Sequence, residues 1–179
     1  KETLVERTGI DVILAVDVSR SMLAKDIVPT RLDKAKLELS GLIDRLKPDR
    51  IGIVAFAGEA FIQCPLTLDR SAVKLFLSSV SPNLIDTPGT AIAKAIRVAT
   101  AAFSDKDKGS KALILLTDGE DHEGNLPAEV RRAAAAGVTI FTIGIGTPDG
   151  STLPDEVGRA KKDRQGRIVL SKLNEALLK

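Results

Sequence analysis

The chain has no tryptophan and no tyrosine, and only one histidine, one cysteine and one methionine in 179 residues. Its aromatic content, 3%, is all phenylalanine. Each scarcity excludes something. A lone cysteine, Cys64, makes neither an internal disulfide nor a thiolate zinc cage, so the redox compartment is not legible; it reads as a small packed side chain near a strand end. Without aromatic faces there is no platform for stacking bases. An excess of one charge is missing too. The 26 basic and 24 acidic residues leave a net +2, no field for drawing in nucleic acid or an anionic membrane. No apolar run is long enough to span a bilayer, and no signal peptide is visible. The chain starts at Lys1 rather than Met, as an excised piece would, so this says nothing of a parent protein's membrane segments. There is no phosphate-cradling G-x-x-x-x-G-K-[ST] run, and Gly144-x-Gly146 lacks the third glycine of a dinucleotide fingerprint.

What is present is ordinary in bulk, 44% hydrophobic and 28% charged, enough for a single domain with one sizeable core. The pattern along the chain is more telling. Two runs, 10–17 (I-D-V-I-L-A-V-D) and 111–117 (K-A-L-I-L-L-T), are rich in apolar residues without polar alternation, as strands buried on both faces are, and 50–56 (R-I-G-I-V-A-F) reads as another strand between them in sequence. Residues 138–145 (V-T-I-F-T-I-G-I) read as the last long strand. A short run at 60–64, joined to 50–56 by Ala57-Gly58-Glu59, predicts an antiparallel edge strand, with Pro65 directly after it. Helical spacing predicts helices over 31–46, 71–80, 90–103 and 127–136, with Thr30, Asp69 or Ser71, and Thr90 as candidate caps. The tail predicts a short strand at 167–170, paired near 158–160, and a closing helix at 173–178. The alternation means an α/β, Rossmann-like three-layer sandwich: a mostly parallel sheet with helices on both faces. Residues 1–179 form one domain in this reading, with 147–179 an extension packed on it.

The candidate chemistry sits where buried strands end. Asp17-x-Ser19-x-Ser21 closes the first strand, and Asp118-Gly119 closes the 111–117 strand. In open α/β sheets that end is where ligands bind. Carboxylate and hydroxyl oxygens are hard ligands, suited to Mg²⁺, Mn²⁺ or Ca²⁺ rather than zinc. Each motif has a plainer reading, a helix cap for the serines and a turn for Asp118-Gly119. Two strands ending in aspartate favour the cation. Thr90, directly before a helix, could cap it or turn its hydroxyl to an ion, with Thr87 as the fallback. His122, beside Glu120, Asp121 and Glu123, reads as part of a solvated acidic loop.

In that order, Asp17-x-Ser19-x-Ser21, Thr90 and Asp118 resemble the metal-ion-dependent adhesion site of von Willebrand factor type A domains, over nearly the whole chain. The stretches 19–32, 60–69, 89–92, 117–125, 143–150 and 167–176 are similar to those of bacterial aerotolerance-type (Bat) membrane proteins. Cys64 departs from that pattern. The resemblance implies a six-stranded sheet with one antiparallel edge strand. It implies metal ligation by Asp17, Ser19, Ser21, Thr90 and Asp118, directly or through water, with Mg²⁺ or else Mn²⁺ or Ca²⁺. It further implies a protein partner whose Asp or Glu completes the shell, and no enzyme activity. It places the chain as the soluble part of a membrane-anchored bacterial stress or aerotolerance protein, attached to the cell membrane only through flanking segments. Two alternatives remain beside it: a metal-dependent phosphohydrolase, and a structural domain with a vestigial site. The phosphohydrolase would need a second carboxylate two residues after Asp17, where Ser19 stands.

Overall fold

The strand 11–17 is the axis of the molecule, and its burial explains its sequence. In the computed structural model, which describes residues 9–47, 49–103, 109–121, 125–155 and 157–178, every residue of β1 (Asp11–Asp17) is buried. Its side chains alternate between two cores. Val12, Leu14 and Val16 point to one face, where helix α1 (Arg31–Arg45) supplies Ala35, Leu39 and Ile43. Ile13 and Ala15 point to the other. Fully burying such side chains contributes about 1.5–3 kcal/mol each.

The chain continues with β2 (Arg50–Phe56), β3 (Ala60–Thr67), α2 (Arg70–Ser79), α3 (Ile92–Ala102), β4 (Lys111–Thr117), α4 (Leu126–Ala135) and β5 (Val138–Gly144). The strands form one sheet in the order β3-β2-β1-β4-β5. β1 runs parallel to both β2 and β4, β4 parallel to β5, and β3 antiparallel at the edge. The core of α1 is extended by Val73 and Leu77 of α2. The opposite core takes Ile92, Ala95, Ile96 and Ala99 of α3 and Ala133 of α4.

Helix starts follow the caps in two cases. The Thr30 hydroxyl accepts from the Asp33 N–H at 3.0 Å, and the Asp69 carboxylate accepts from the Ala72 N–H at 3.0 Å. Thr90 does not cap α3: its N-cap residue is Ala91, and the Ile92 N–H donates to Asp121 Oδ1 from another loop at 3.3 Å. β3 does not stop at Cys64 but runs through Pro65 to Thr67. Its register shifts opposite Ile51 and Ile53, and an irregular edge is where a strand accommodates proline. Cys64 is buried, as a packed residue should be.

The sheet has five strands among the described residues, not the six the resemblance implied. The tail does not extend the edge beside β5. It folds back on itself, with β6 (Ser151–Thr152) pairing antiparallel to β7 (Leu170–Ser171) and bridges at Pro154–Ala160 and Lys162–Ile168. The pairing expected for 167–170 near 158–160 lies about two residues on for Ile168 and Val169, which meet Lys162 and Lys161, whereas Leu170 and Ser171 pair with β6. Two tight turns explain the difference. In Asp155-x-x-Gly158-Arg159 and Asp163-x-x-Gly166-Arg167 the aspartate Oδ1 accepts two backbone N–H groups, and the glycine takes a positive φ. A short helix, α5 (Glu175–Leu178), closes the described chain, inside the span expected for it. No helix among the described residues is long and apolar enough to cross a membrane.

Candidate metal centre

Adjacent parallel strands that end level bring their exits together. Val16 of β1 pairs with Leu116 of β4, so Asp17 and Thr117 leave the sheet side by side and Asp118 follows. Both aspartates are fully buried. Asp17 Oδ1 accepts from the Ser19 N–H at 2.8 Å, and Oδ2 accepts from the Thr117 hydroxyl at 2.6 Å. Asp118 Oδ1 accepts from the Glu120 N–H at 3.1 Å, and Oδ2 from Arg31 Nη1 at 3.0 Å. Each carboxylate oxygen is thus held by a named donor. Gly119, at φ +78°, permits the turn: a Cβ there would meet the Asn174 carbonyl oxygen at 2.7 Å.

Burial, and then the negative charge of Asp118, push the Asp17 carboxyl up to about 7 against the hydrogen bonds from Ser19 and Thr117. The charge of Asp118 thus opposes ionisation of Asp17, and a cation beside them would relieve that opposition.

The hydroxyls come from two loops. A single turn of 3₁₀ helix over Arg20–Leu23 folds Ser21 back on Ser19, and their hydroxyls lie 2.8 Å apart. Thr90 is buried on the loop into α3, which is anchored by the Ala91 N–H to the Ala57 carbonyl at 2.7 Å. Ser19, Ser21 and Thr90 line one groove of about 760 Å³, and Asp17 and Asp118 lie beneath it, bonded to the backbone of Ser19 and Glu120 in its lining. Thr87 also lines the groove but is exposed. Four of the five expected residues, Asp17, Ser19, Ser21 and Asp118, are therefore joined by hydrogen bonds or charge, and Thr90 shares their groove. His122 and Glu123 lie outside the described residues.

The donor set fits a hard divalent cation. It is all oxygen, two carboxylates and three hydroxyls, the donors a hard cation takes, and it contains no cluster of three His, Cys, Asp or Glu among the described residues, so the hydroxyls carry part of the ligation. The charge fits as well. Asp17, Asp118 and Asp26 are three carboxylates, and Arg31, bonded to two of them, is one guanidinium, leaving two formal negative charges.

Arg31 and Thr117 were missed as parts of the site. Thr117 had a signal: it is a hydroxyl at the last position of an otherwise apolar strand, directly before the aspartate. Arg31 had none, since an arginine in the first turn of a helix ordinarily faces solvent. Here it is fully buried, with Nε and Nη2 donating to the two oxygens of Asp26 at 2.8 and 2.7 Å. Burial pushes the Asp26 carboxyl up, but the bonds from Arg31 and Thr147 prevail and hold it at about 2.

The model of the von Willebrand factor type A domain matches residues 11–171. A UPF0353 protein of Mycolicibacterium paratuberculosis is 33% identical over 161 residues, 80% of this chain and 48% of that protein. The chain spans about half the length of the curated relatives it matches. Among solved structures, BatB of Bacteroides thetaiotaomicron is 43% identical with a TM-score of 0.90, over 95% of this chain and 83% of that one. An aerotolerance-related membrane protein of Bacteroides fragilis is 41% identical with a TM-score of 0.90, over 95% and 85%. Proximal thread matrix protein 1 of the mussel byssus, in a structure with a zinc-occupied MIDAS motif, shares the fold at 24% identity and a TM-score of 0.66, over 78% and 39%.

Proposed function

The chain belongs to the von Willebrand factor type A family, and from that premise we propose that it is a divalent-cation-dependent protein-binding module. Asp17, Ser19, Ser21, Thr90 and Asp118 would hold the ion. A carboxylate from an acidic side chain of a partner protein would complete its shell by replacing a water. The observation that carries this reading is the pair of buried aspartates at neighbouring strand ends beneath a groove lined by three hydroxyls.

The chemistry supports it in two ways. Hydroxyls carry no charge, so the site adds no negative charge beyond what the carboxylates bring, and a water position on the ion can pass to an outside carboxylate. The aspartates are also oriented before any ion arrives, so little ordering is needed on binding. When bound, the cation supplies the positive charge that a partner carboxylate seeks. This chain's residues set its place, its hydration and the groove around it. Mg²⁺ suits the hard oxygen donors, with Mn²⁺ or Ca²⁺ as alternatives. Zinc occupies the site named in the mussel byssus protein, so the cation of this chain is a matter for titration. The likeness to Bat and aerotolerance-related membrane proteins supports placing the module on a membrane-anchored bacterial protein.

The phosphohydrolase alternative draws no support from the site. Ser19, where that chemistry needs an acid, is occupied with Ser21 Oγ and with Asp17. Calorimetric titration with Mg²⁺, Mn²⁺ and Ca²⁺ tests the proposal. Saturable binding by the wild type that is lost in Asp17→Ala is the expected result. Partner capture undiminished in excess EDTA would sink it.

A further inference from the structure

The chain after β5 meets the metal centre at one buried side chain in particular. The Arg31 guanidinium, fully buried, donates not only to Asp26 and Asp118 but also to the tail: Nη1 to the Ser171 hydroxyl at 2.7 Å and Nη2 to the Ser171 carbonyl at 3.0 Å. A single nitrogen, Nη1, thus bridges a metal-site aspartate and the tail strand β7.

We propose that Arg31 is a positioning residue that couples cation binding at Asp118 to the docking of the tail hairpin over residues 150–171. The inference rests on the metal-site reading above and deepens it, because the hairpin forms one wall of the binding groove. Leu153, Pro154, Lys161 and Val169 line that groove on the hairpin side, and Ile85 and Pro88 line it on the loop before α3.

Three further observations carry the coupling. First, the chain leaving β5 passes against Arg31. Gly146 has φ +139°, which residues with a side chain rarely adopt, and a Cβ there would crowd the guanidinium carbon at 3.1 Å, so glycine suits so close a crossing. Second, the next residue, Thr147, binds the same ion pair, its N–H and hydroxyl donating to Asp26 Oδ2 at 2.9 and 3.0 Å. Third, the segment after β7 is bonded to the loop that carries Asp118. The Lys172 N–H donates to Glu120 Oε1 at 3.2 Å, and the Asn174 N–H to the Asp118 carbonyl at 2.8 Å.

The charges show why a guanidinium serves here. Asp26, bidentate, takes up the positive charge of Arg31, so Asp118 is steered by a directional bond and still offers its charge to an ion. An ion that draws Asp118 into its shell fixes Nη1, and Nη1 fixes Ser171. By linkage, a docked hairpin raises cation affinity by the factor with which the cation favours docking.

The test measures both directions of that linkage on the intact chain, with Mn²⁺ as the probe. Hydrogen–deuterium exchange of the 150–171 amides is followed with and without Mn²⁺, and Mn²⁺ affinity is taken by calorimetry. The proteins are wild type, Ser171→Ala and Arg31→Lys. Mn²⁺ is expected to slow exchange across the wild-type hairpin. Ser171→Ala is expected to lose that protection and to bind Mn²⁺ about tenfold more weakly, the order set by one hydrogen bond to a charged group. Arg31→Lys keeps the charge and loses the fork, so it is expected to follow Ser171→Ala; wild-type behaviour would assign Arg31 a charge role alone and overturn the proposal. Should Arg31→Lys not fold, Ser171→Ala and the wild-type exchange decide alone. Wild-type Mn²⁺ binding with hairpin exchange unmoved, or variants that bind as tightly as wild type or tighter, would overturn the coupling and leave the metal site standing. No Mn²⁺ binding by the wild type would overturn both.

Discussion

The end of β1 and the tail hairpin meet at Asp118 but are held in place by different forces. β1 is positioned by apolar burial on both faces, and its aspartate is carried to the sheet edge by a strand that cannot shift without exposing Leu14 or Ile13. The hairpin has little of that. Ile168 and Leu170 are more than half exposed, and its shape comes from carboxylate-held turns and from Ser171 on Arg31. An apolar scaffold seats the aspartates, and a polar tether holds one wall of the groove. Rigid ligands and an adjustable wall are the division of labour that the proposed cation-dependent docking would use.

The contrast can be broken most forcefully from the scaffold side. Leu14→Ala is expected to cost about 2–5 kcal/mol in urea unfolding, as buried leucine truncations do. A loss below about 1 kcal/mol would mean the strand is not the rigid element. Asp17→Ala is expected to weaken Mn²⁺ binding by more than about 100-fold, beyond the loss typical of an outer-shell partner, by calorimetry. A smaller loss would move the ion elsewhere.

The tether is probed by pH. The Asp26 carboxyl is depressed to about 2 from its ordinary 3.8, so its stabilisation is fully present above about pH 5 and is lost as pH falls through about 4 toward 2. The size of that contribution is about 2 kcal/mol. The stability gap between wild type and Asp26→Asn should therefore be level above about pH 5 and close below about pH 4. A gap that widened in acid would contradict the ion pair with Arg31. Least costly is Gly166→Ala in the second tail turn, at φ +80° with open space around it. Strain alone should cost about 1 kcal/mol there, read as faster local amide exchange with global unfolding nearly unchanged.

Legibility in the sequence follows the same division. The strands 11–17 and 111–117, their parallel arrangement and the aspartates at their ends were readable because burial on both faces demands an unbroken apolar run. The cap at Thr30 and the edge position of β3 were readable from local chemistry. Thr90 as a cap was not, because the α3 N-terminus is served by Asp121 from a loop 29 residues away. The tail pairing was misplaced by its register, since two Asp-x-x-Gly-Arg turns fold the segment back twice where periodicity shows nothing.

The sequence by itself determined which oxygens stand at the ends of buried strands, because side-chain periodicity and strand burial are local properties of the chain. Only the tertiary structure decided what those oxygens face. Arg31, Asp118 and Ser171 are separated by 87 and 140 residues, counted from Arg31, and come within hydrogen-bond reach only when the sheet and the tail are both in place. A buried guanidinium must find acceptors for its donors wherever the fold supplies them, and no spacing along the chain records which acceptors those will be.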